Sequence, residues 1–324
     1  MTDTQGTPQD WIDVRIRRRI DAAQDIVALE LVRTDGQPLP AFEAGSHVDV
    51  LIAPGLVRQY SLCNDPAERD RYVLGILLDK QSRGGSKAVH SEFNEGADIK
   101  IGAPRNAFAL RPGMRHAVLL AGGIGITPIK AMAHALHSQG TAFELHYCAR
   151  SRMHAAFLDD LLAAPFGARV TCHMDDECGG PRPPEAYLPE PDDGRHLYIC
   201  GPGGFIDAVR DKALAAGWPD AQIHIERFVA EPAPGGGSFT VEAVRSGVTV
   251  EVGEDESIAN ALMRAGLDVL TSCEQGLCGV CLTEVVEGVP EHHDQFQTDE
   301  EKAANTHMTI CCSRAKTPII KLDI

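Results

Sequence analysis

Three cysteines lie within nine residues of one another in the segment TSCEQGLCGVCLTEV, which gives the spacing C-x4-C-x2-C. They are Cys273, Cys278 and Cys281, and a fourth thiol is available downstream in TICCSRAK, at Cys311 or Cys312. Thiols at this spacing are typical of a plant-type [2Fe–2S] cluster, which four cysteine sulfurs hold. The pattern therefore predicts a redox-active iron–sulfur site.

Other interpretations of the cysteines fit the spacing less well. Structural zinc usually takes four ligands from paired spacings, whereas this chain has one C-x2-C here and the His292-His293 pair lacks the usual separation. A Rieske centre uses two histidines beside two cysteines, and no such spacing is visible. Gly276 and Gly279 permit the positive φ that a tight loop between thiolates requires. Zinc and a buried turn of free cysteines remain the alternatives.

A second candidate site lies in the first third of the chain, in RQYSLCNDP followed by SRGGS. Arg58, Tyr60 and Ser61 could supply a cation, a stacking ring and a hydroxyl to a flavin. A Gly-Gly-Ser turn exposes consecutive N–H groups that suit a phosphate. A surface strand and an ordinary hairpin loop are the structural alternatives for these two segments.

A third candidate site combines LLAGGIGITPIKAM with YICGPGGFIDAV. The first is a glycine turn between a strand and a helix, where a phosphate can meet the helix N-terminus. It is not the G-x-G-x-x-G fingerprint, because Pro128 stands at the third glycine. Cys200 in the second motif is either a nucleotide neighbour or a buried cysteine that ends a strand. Arg150 and Arg152 follow the next strand, where they either read a 2′-phosphate or are simply solvated.

The segments around these motifs predict three domains. Short β-rich runs indicate a small antiparallel barrel in residues 1–112, and strands that alternate with helices indicate a parallel sheet in residues 113–230. Residues 231–237 are rich in proline and glycine, which is typical of a linker. Residues 238–324 predict a small α+β module.

Composition limits the classes of function. A chain of 324 residues is long enough for two or three domains, and a net charge of −16 argues against nucleic-acid binding. The first twenty residues have no apolar stretch after their charges, and no apolar run approaches the ~18 residues of a membrane span, so we expect a cytoplasmic protein. In that reducing compartment, clustered cysteines more often bind metal than form disulfides.

The three motif sets, in this order, resemble the phthalate dioxygenase reductase family, which includes vanillate demethylase reductases. CEQGLCGVC followed by CCSRAK is similar to the C-terminal ferredoxin module of that family. The resemblance makes Cys311 the fourth ligand, because it opens the C-x-S-R-A-K stretch, and it gives Cys312 a packing position. The other motifs resemble the flavin and pyridine-nucleotide domains of ferredoxin reductase-like proteins.

The resemblance implies a ferredoxin reductase-like barrel, an α/β nucleotide domain and a β-grasp-like ferredoxin domain. It implies FMN, a [2Fe–2S] cluster and NADH as cofactors, with NADPH possible. The implied flavin contacts are Arg58, Tyr60, Ser61, Ile76, Leu77, Gly84, Gly85, Ser86 and Phe228. The implied nucleotide contacts are Gly122, Gly123, Gly125, Thr127, Pro128, Cys200, Gly201 and Pro202. The implied cluster ligands are Cys273, Cys278, Cys281 and Cys311.

The resemblance also implies a function. NADH would deliver a hydride to the flavin, single electrons would pass to the cluster, and a Rieske-type aromatic oxygenase or O-demethylase on another chain would receive them. No side chain need act as a catalytic acid or base. From Ser238 onward the chain has 15 acidic and 6 basic residues, a net charge of −9, which either steers a basic partner or serves solubility. A redox sensor without an enzymatic role and a zinc-stapled binding module are the rival functions.

Overall fold

The structure is a computed structural model that describes residues 11–53, 56–79, 84–228, 237–254, 256–271, 276, 279–294 and 296–324. These residues fall into two compact units. The first contains the described residues through Ile52 and from Gln59 to Phe228, and the second contains those between Ala53 and Arg58 and those after Phe228. The boundary predicted near residue 112 lies inside the first unit, so the division into three domains stays a prediction. The predicted linker falls largely outside the described residues.

The N-terminal part of the first unit is an antiparallel sheet in the strand order β4-β3-β6-β1-β2-β5, with β7 paired to β3. An isolated bridge between Leu62, just after β4, and Leu74 in β5 brings the two edges of this sheet together, as a barrel requires. One helix, α1, follows β5. The elements are β1 Ile12–Ala23, β2 Ile26–Arg33, β3 Ser46–Ala53, β4 Leu56–Ser61, β5 Tyr72–Leu77, α1 Gly85–Glu92, β6 Asp98–Ile101 and β7 Arg105–Asn106.

A parallel sheet in the order β10-β9-β8-β11-β12 forms the rest of the first unit. Its central strands are fully buried, as in Val118, Leu119 and Leu120, which is expected of a parallel sheet with both faces covered. The strand order reverses between β8 and β11, which is where such sheets bind ligands. The elements are β8 His116–Gly122, α2 Ile126–Ser138, β9 Ala142–Ala149, α3 Leu158–Ala163, β10 Val170–Met174, α4 Asp175–Cys178, β11 Arg195–Cys200, α5 Gly203–Ala215 and β12 Ile223–Glu226.

Helix α3 is shorter than the apolar pattern of MHAAFLDDLLAAPF predicts. A 3-10 turn occupies Arg152–His154, and Phe157 adopts a left-handed conformation with φ of 60° just before the helix. At the other end Ala164 is extended, which its position before Pro165 favours. The helix therefore keeps only six residues.

The second unit contains a mixed sheet in the order β14-β13-β19-β15-β17. Strand β19 is parallel to β13, whereas β13–β14, β15–β19 and β15–β17 are antiparallel. Helix α6 begins after Ser257, whose side chain accepts a hydrogen bond from Asn260 N at 3.2 Å. The elements are β13 Phe239–Ala243, β14 Val248–Val252, α6 Ile258–Arg264, β15 Leu282–Glu287, β16 Pro290–Glu291, α7 Asp299–Ala304, β17 His307–Thr309, β18 Arg314–Ala315 and β19 Ile319–Leu322.

These architectures confirm the predicted classes of barrel, parallel α/β sheet and β-grasp-like module. The pattern of the sequence did not predict β4, β7 or α1 in the barrel, β10, β12 or α4 in the parallel sheet, or α7 and β15 to β18 in the second unit. Within the described part of the chain, no helix is both long enough and apolar enough to cross a membrane.

Candidate functional site

The two glycine motifs of the α/β domain pack backbone against backbone. A Cβ added at Gly125 would lie 2.2 Å from the carbonyl oxygen of Cys200 and 2.6 Å from the nitrogen of Gly201. A Cβ added at Gly122 would lie 3.0 Å from Pro202 Cδ. The structure therefore brings these five predicted nucleotide residues together at the carboxyl ends of β8 and β11, although they lie about 75 positions apart in the chain.

The start of α2 fits a phosphate. The Ile126 N–H already donates to the carbonyls of Gly123 and Ile124, so a phosphate would meet the glycine turn that leads into the helix. Gly123 has a φ of +53°, and a Cβ added there would have no neighbour within 4 Å, which leaves open space beside the turn. Pro128 stands in the first helical turn, where its missing N–H costs no hydrogen bond.

Thr127 links this turn to the barrel. Its hydroxyl donates to the carbonyl of Ile124 at 3.0 Å, which directs its methyl group elsewhere. A Cβ added at Gly75, in β5, would lie 2.7 Å from that methyl carbon and 3.0 Å from the ring of Phe157. Strand β5, which carries the predicted flavin contacts Ile76 and Leu77, therefore touches the start of α2.

Cys200 and Glu226 form an unusual pair at the ends of β11 and β12, where they are register partners. Burial raises the pKa of the Cys200 thiol well above its usual value, and the nearby Glu226 raises it further. Burial also raises the pKa of Glu226 to about 8, and its Oε2 has no hydrogen-bond partner among the described residues. Both shifts favour the neutral form of the group.

The predicted flavin residues of RQYS lie on β4. Arg58 Nη1 donates to the carbonyl of Val57 at 2.8 Å, Tyr60 is half-buried, and Ser61 is buried. The chain then continues beside β5, because Cys63 N donates to the carbonyl of Val73 at 3.0 Å. The predicted residues of RQYS therefore lead into a segment that borders β5.

The predicted contacts on β5 differ in exposure. The Ile76 side chain is buried in the barrel, and its carbonyl accepts from His90 Nε2 at 3.0 Å, whereas Leu77 is 38% exposed. A ligand beside β5 would therefore meet the backbone of Ile76, as the resemblance implies, and the side chain of Leu77.

The last three residues of the SRGGS motif, Gly84, Gly85 and Ser86, begin helix α1 rather than a hairpin loop, and Arg83 lies outside the described residues. Gly84 is the N-cap with a φ of +107°, which a side chain would disfavour, and it makes no side-chain capping bond. Ser86 Oγ accepts from Asp79 N at 3.1 Å, which leaves the hydroxyl hydrogen to donate elsewhere. Helix α1, whose first residue is Gly85, thus offers a serine hydroxyl and N–H groups to a phosphate. Ser82 lies outside the described residues.

Phe228 packs against the hydrophobic cluster that the barrel and the α/β domain share. That cluster includes Ile26 and Cys63 from the barrel and Cys200 and Tyr147 from the parallel sheet. The predicted aromatic partner of the flavin therefore lies on the same shared core as the cysteine of the nucleotide motif.

Two of the four predicted cluster ligands, Cys273 and Cys278, lie outside the described residues. The other two, Cys281 and Cys311, are 4% and 8% exposed and belong to one hydrophobic cluster of the second unit. The Ile310 N–H donates to the carbonyl of Cys281 at 3.3 Å, which holds the third and fourth predicted ligands near each other. Neither of these two thiols forms a disulfide.

The loop glycines have the predicted backbone. Gly276 and Gly279 have φ angles of +70° and +71°. A Cβ added at Gly276 would lie 2.5 Å from Cys312 Sγ, and one added at Gly279 would lie 2.3 Å from the ring of Phe296. Only glycine satisfies both the dihedral angle and the space, so the loop fits the close approach that a cluster requires.

Cys312 differs from its neighbour Cys311 in environment. It is half-buried, and its sulfur lies 3.2 Å from Thr309 Oγ1 and 4.0 Å from Ser313 Oγ. A hydrogen bond from the Cys311 side chain, helped by those two hydroxyls, lowers the pKa of the Cys312 thiol. The assignment of Cys311 as the ligand stays a prediction.

The histidine pair His292-His293 lies in the described part of the second unit. Among the residues that the structure describes, no group of three or more histidine, cysteine, aspartate or glutamate side chains is arranged to hold a metal ion. His292 lies near Asp294, with 3.7 Å between Nδ1 and Oδ1, and neither belongs to such a group.

Glu226 is the residue that reasoning from sequence missed. It lies two positions before Phe228 in the ERFVA segment, so the sequence pattern could have indicated its position near a nucleotide motif. The pattern could not have indicated that its carboxyl oxygen Oε2 is buried, because an exposed glutamate at the end of a strand has the same local sequence.

Comparison with known proteins agrees with this geometry. Residues 241–316 match the family of 2Fe-2S iron-sulfur cluster binding domains. Vanillate O-demethylase oxidoreductase of Pseudomonas putida is 46% identical over 316 residues, which cover 97% of this chain and 100% of that protein. The phthalate 4,5-dioxygenase oxygenase reductase subunit of Pseudomonas putida is 36% identical over 334 residues, with 100% of both chains covered.

A solved structure, phthalate dioxygenase reductase, described as modular for electron transfer from pyridine nucleotides to [2Fe-2S], superposes with a TM-score of 0.75. It is 36% identical, and the match covers 97% of this chain and 98% of that one. Identity above a third over nearly the full length of both chains confirms the family that the motifs predicted. The chain belongs to the family of vanillate O-demethylase oxidoreductases and phthalate dioxygenase reductases.

Proposed function

We propose that this chain is the NADH-dependent reductase of a two-component oxygenase and that it passes electrons through FMN and a [2Fe–2S] cluster. The packing of Gly125 against Cys200, beside the barrel strand that Thr127 touches, carries the proposal. It places a phosphate-binding turn, a cysteine at a strand end and the edge of the barrel around one space. Full-length similarity to reductase subunits supports it.

The residues of the first unit bind and orient the nucleotide and the flavin. Gly122, Gly123 and Gly125 let the nucleotide phosphates approach the N-terminus of α2, and the start of α1 receives the flavin phosphate. The raised pKa values of Cys200 and Glu226 favour their neutral forms, which lowers the negative charge at these strand ends. The bound flavin and cluster supply the conversion of a two-electron donor into one-electron steps.

The residues of the second unit hold the metal. Cys273, Cys278, Cys281 and Cys311 act as the four thiolate ligands, and the positive φ of Gly276 and Gly279 lets the loop close around them. The proposed reaction requires no acid or base from the protein, so the chain positions the cofactors and sets their electrostatic environment.

The partner is a Rieske-type aromatic oxygenase or O-demethylase that docks transiently. The names of the relatives support an oxygenase partner, and the net charge of −9 from Ser238 onward supports steering of a basic surface. We place the protein in the cytoplasm, because none of its eight described cysteines forms a disulfide, as a reducing compartment favours.

Anaerobic titration of the purified holoprotein with NADH tests the proposal. We expect a flavin and iron–sulfur spectrum that NADH bleaches, and reduction of a purified Rieske oxygenase only when this chain is present. Substitution of Cys281 by serine should abolish iron binding and transfer to the oxygenase while leaving ferricyanide reduction by NADH. A colourless protein, or one that NADH does not bleach, contradicts the proposal, and bleaching without transfer to any oxygenase favours a redox sensor.

A further inference from the structure

An ion pair joins two loops at the carboxyl edge of the parallel sheet. Arg152 Nε lies 2.6 Å from Glu177 Oε1. Arg152 stands in the 3-10 turn after β9, and Glu177 stands in α4, directly after β10. The two strands are parallel neighbours whose ends coincide, since Met174 pairs with Ala149.

The position of this pair corresponds to the adenosine half of a bound nucleotide. The phosphate-binding turn follows β8, and Cys200 ends β11 on one side of it, whereas β9 and β10 lie on the other side. A nucleotide whose nicotinamide lies near Cys200 therefore extends its adenosine toward β9. In dinucleotide-binding sheets, the residue that reads the ribose 2′-hydroxyl or 2′-phosphate follows the second strand, which here is β9.

The charges at this edge disfavour a phosphate. Helix α4 begins with Asp175, Asp176 and Glu177, so three carboxylates follow β10. A phosphate monoester carries about −1.5 to −2 charges at pH 7. It would have to displace Glu177 from Arg152 and lie beside the neighbouring carboxylates, whereas a ribose hydroxyl is neutral and can donate to a carboxylate.

We propose that Glu177 selects NADH over NADPH by occupying Arg152 and by placing negative charge where a 2′-phosphate would lie. The sequence alone left Arg150 and Arg152 as candidate readers of that phosphate, and the ion pair reverses this interpretation for Arg152. The inference rests on the proposed function, because it requires the α/β domain to bind a pyridine nucleotide.

Calorimetric titration of the full-length holoprotein with ADP and with 2′,5′-ADP tests the inference without any redox chemistry. The wild-type protein should bind ADP more tightly. The substitution Glu177→Gln keeps the size of the side chain and frees Arg152, so the affinity for 2′,5′-ADP relative to ADP should rise by up to about fivefold, the largest effect expected of one exposed ion pair. Adding Arg152→Gln should remove that gain, and high salt should weaken it.

Steady-state reduction of ferricyanide gives a second readout. The ratio of kcat/KM for NADPH to that for NADH should rise in Glu177→Gln by a similar factor. Glu185→Gln is the matched control, because Glu185 pairs with Lys212, which lies in the last turn of α5 and so at the amino edge of the same sheet. It should leave both ratios unchanged.

The outcomes separate this inference from the proposed function. Equal or tighter binding of 2′,5′-ADP by the wild-type protein overturns the inference, as does an unchanged ratio in Glu177→Gln. In both cases ADP binding and NADH oxidation persist, so the reductase function stands. If neither nucleotide binds and NADH is not oxidised, both fail together.

Discussion

Replacement of Gly125 by alanine tests the contact that assembles the proposed nucleotide site. The new Cβ would lie 2.2 Å from the carbonyl oxygen and 2.4 Å from the carbonyl carbon of Cys200. Both atoms belong to the backbone, so no side chain can rotate away, and α2 or the end of β11 must move by roughly 1 Å to restore van der Waals contact. A displacement of that size at a reacting centre costs on the order of 100-fold in rate.

The expected result for Gly125→Ala is a loss of about 100-fold in kcat/KM for NADH with ferricyanide as acceptor. Overpacking of this kind should also lower the free energy of unfolding by about 1–3 kcal/mol. Iron content should not change, because the predicted cluster ligands belong to the second unit. Stopped-flow absorbance of flavin reduction measures the rate, and thermal unfolding measures the stability.

Gly253→Ala is the matched control for this prediction. A Cβ added at Gly253 would meet only Glu256, at 3.9 Å, which is ordinary contact. It should leave flavin reduction unchanged. A rate of flavin reduction in Gly125→Ala within about threefold of the wild-type rate would refute the expected ~100-fold loss. It would also refute the inference that rigid backbone packing fixes the geometry of the site.

Three further predictions concern charge, metal and loop geometry. The raised pKa of Glu226 means that the folded state keeps a proton which the unfolded state releases, so the free energy of unfolding falls as pH rises from about 4.5 to about 8, by at most about 1.4 kcal/mol per pH unit. Thermal unfolding of Glu226→Gln should show a flatter pH profile. An unchanged slope would show that the carboxyl is ionised in the folded protein. Cys311→Ser should lose iron while Cys312→Ser keeps it by colorimetric assay, and the reverse pattern would move the ligand assignment to Cys312. Gly279→Ala should lower iron content, because its backbone has a φ of +71° and the new Cβ would clash with an aromatic ring. Gly247→Ala, at a φ of +68° in open space, should lower the free energy of unfolding by only about 1–2 kcal/mol and keep iron. Equal iron content in the two variants would contradict the steric argument.

The local patterns of the sequence predicted the classes of all three architectures. Five barrel strands, three strands of the parallel sheet and three strands of the second unit coincide with segments whose composition predicted them. These patterns succeed because burial on one or both faces of a strand leaves a direct record in the order of residues. Helix α1 and strands β4 and β7 left no such record, because they are short and mostly polar or partly exposed.

The sequence by itself also determined the chemistry of the iron–sulfur site, because three predicted ligands lie within nine residues and their spacing alone constrains the cofactor. Contacts between distant residues needed the tertiary structure. The packing of Gly125 on Cys200, the burial of Glu226 and the pairing of Arg152 with Glu177 each join residues on different elements. A sequence pattern reports only on residues that are close along the chain. Burial, charge pairing and steric fit depend on which distant residues the fold brings together in space.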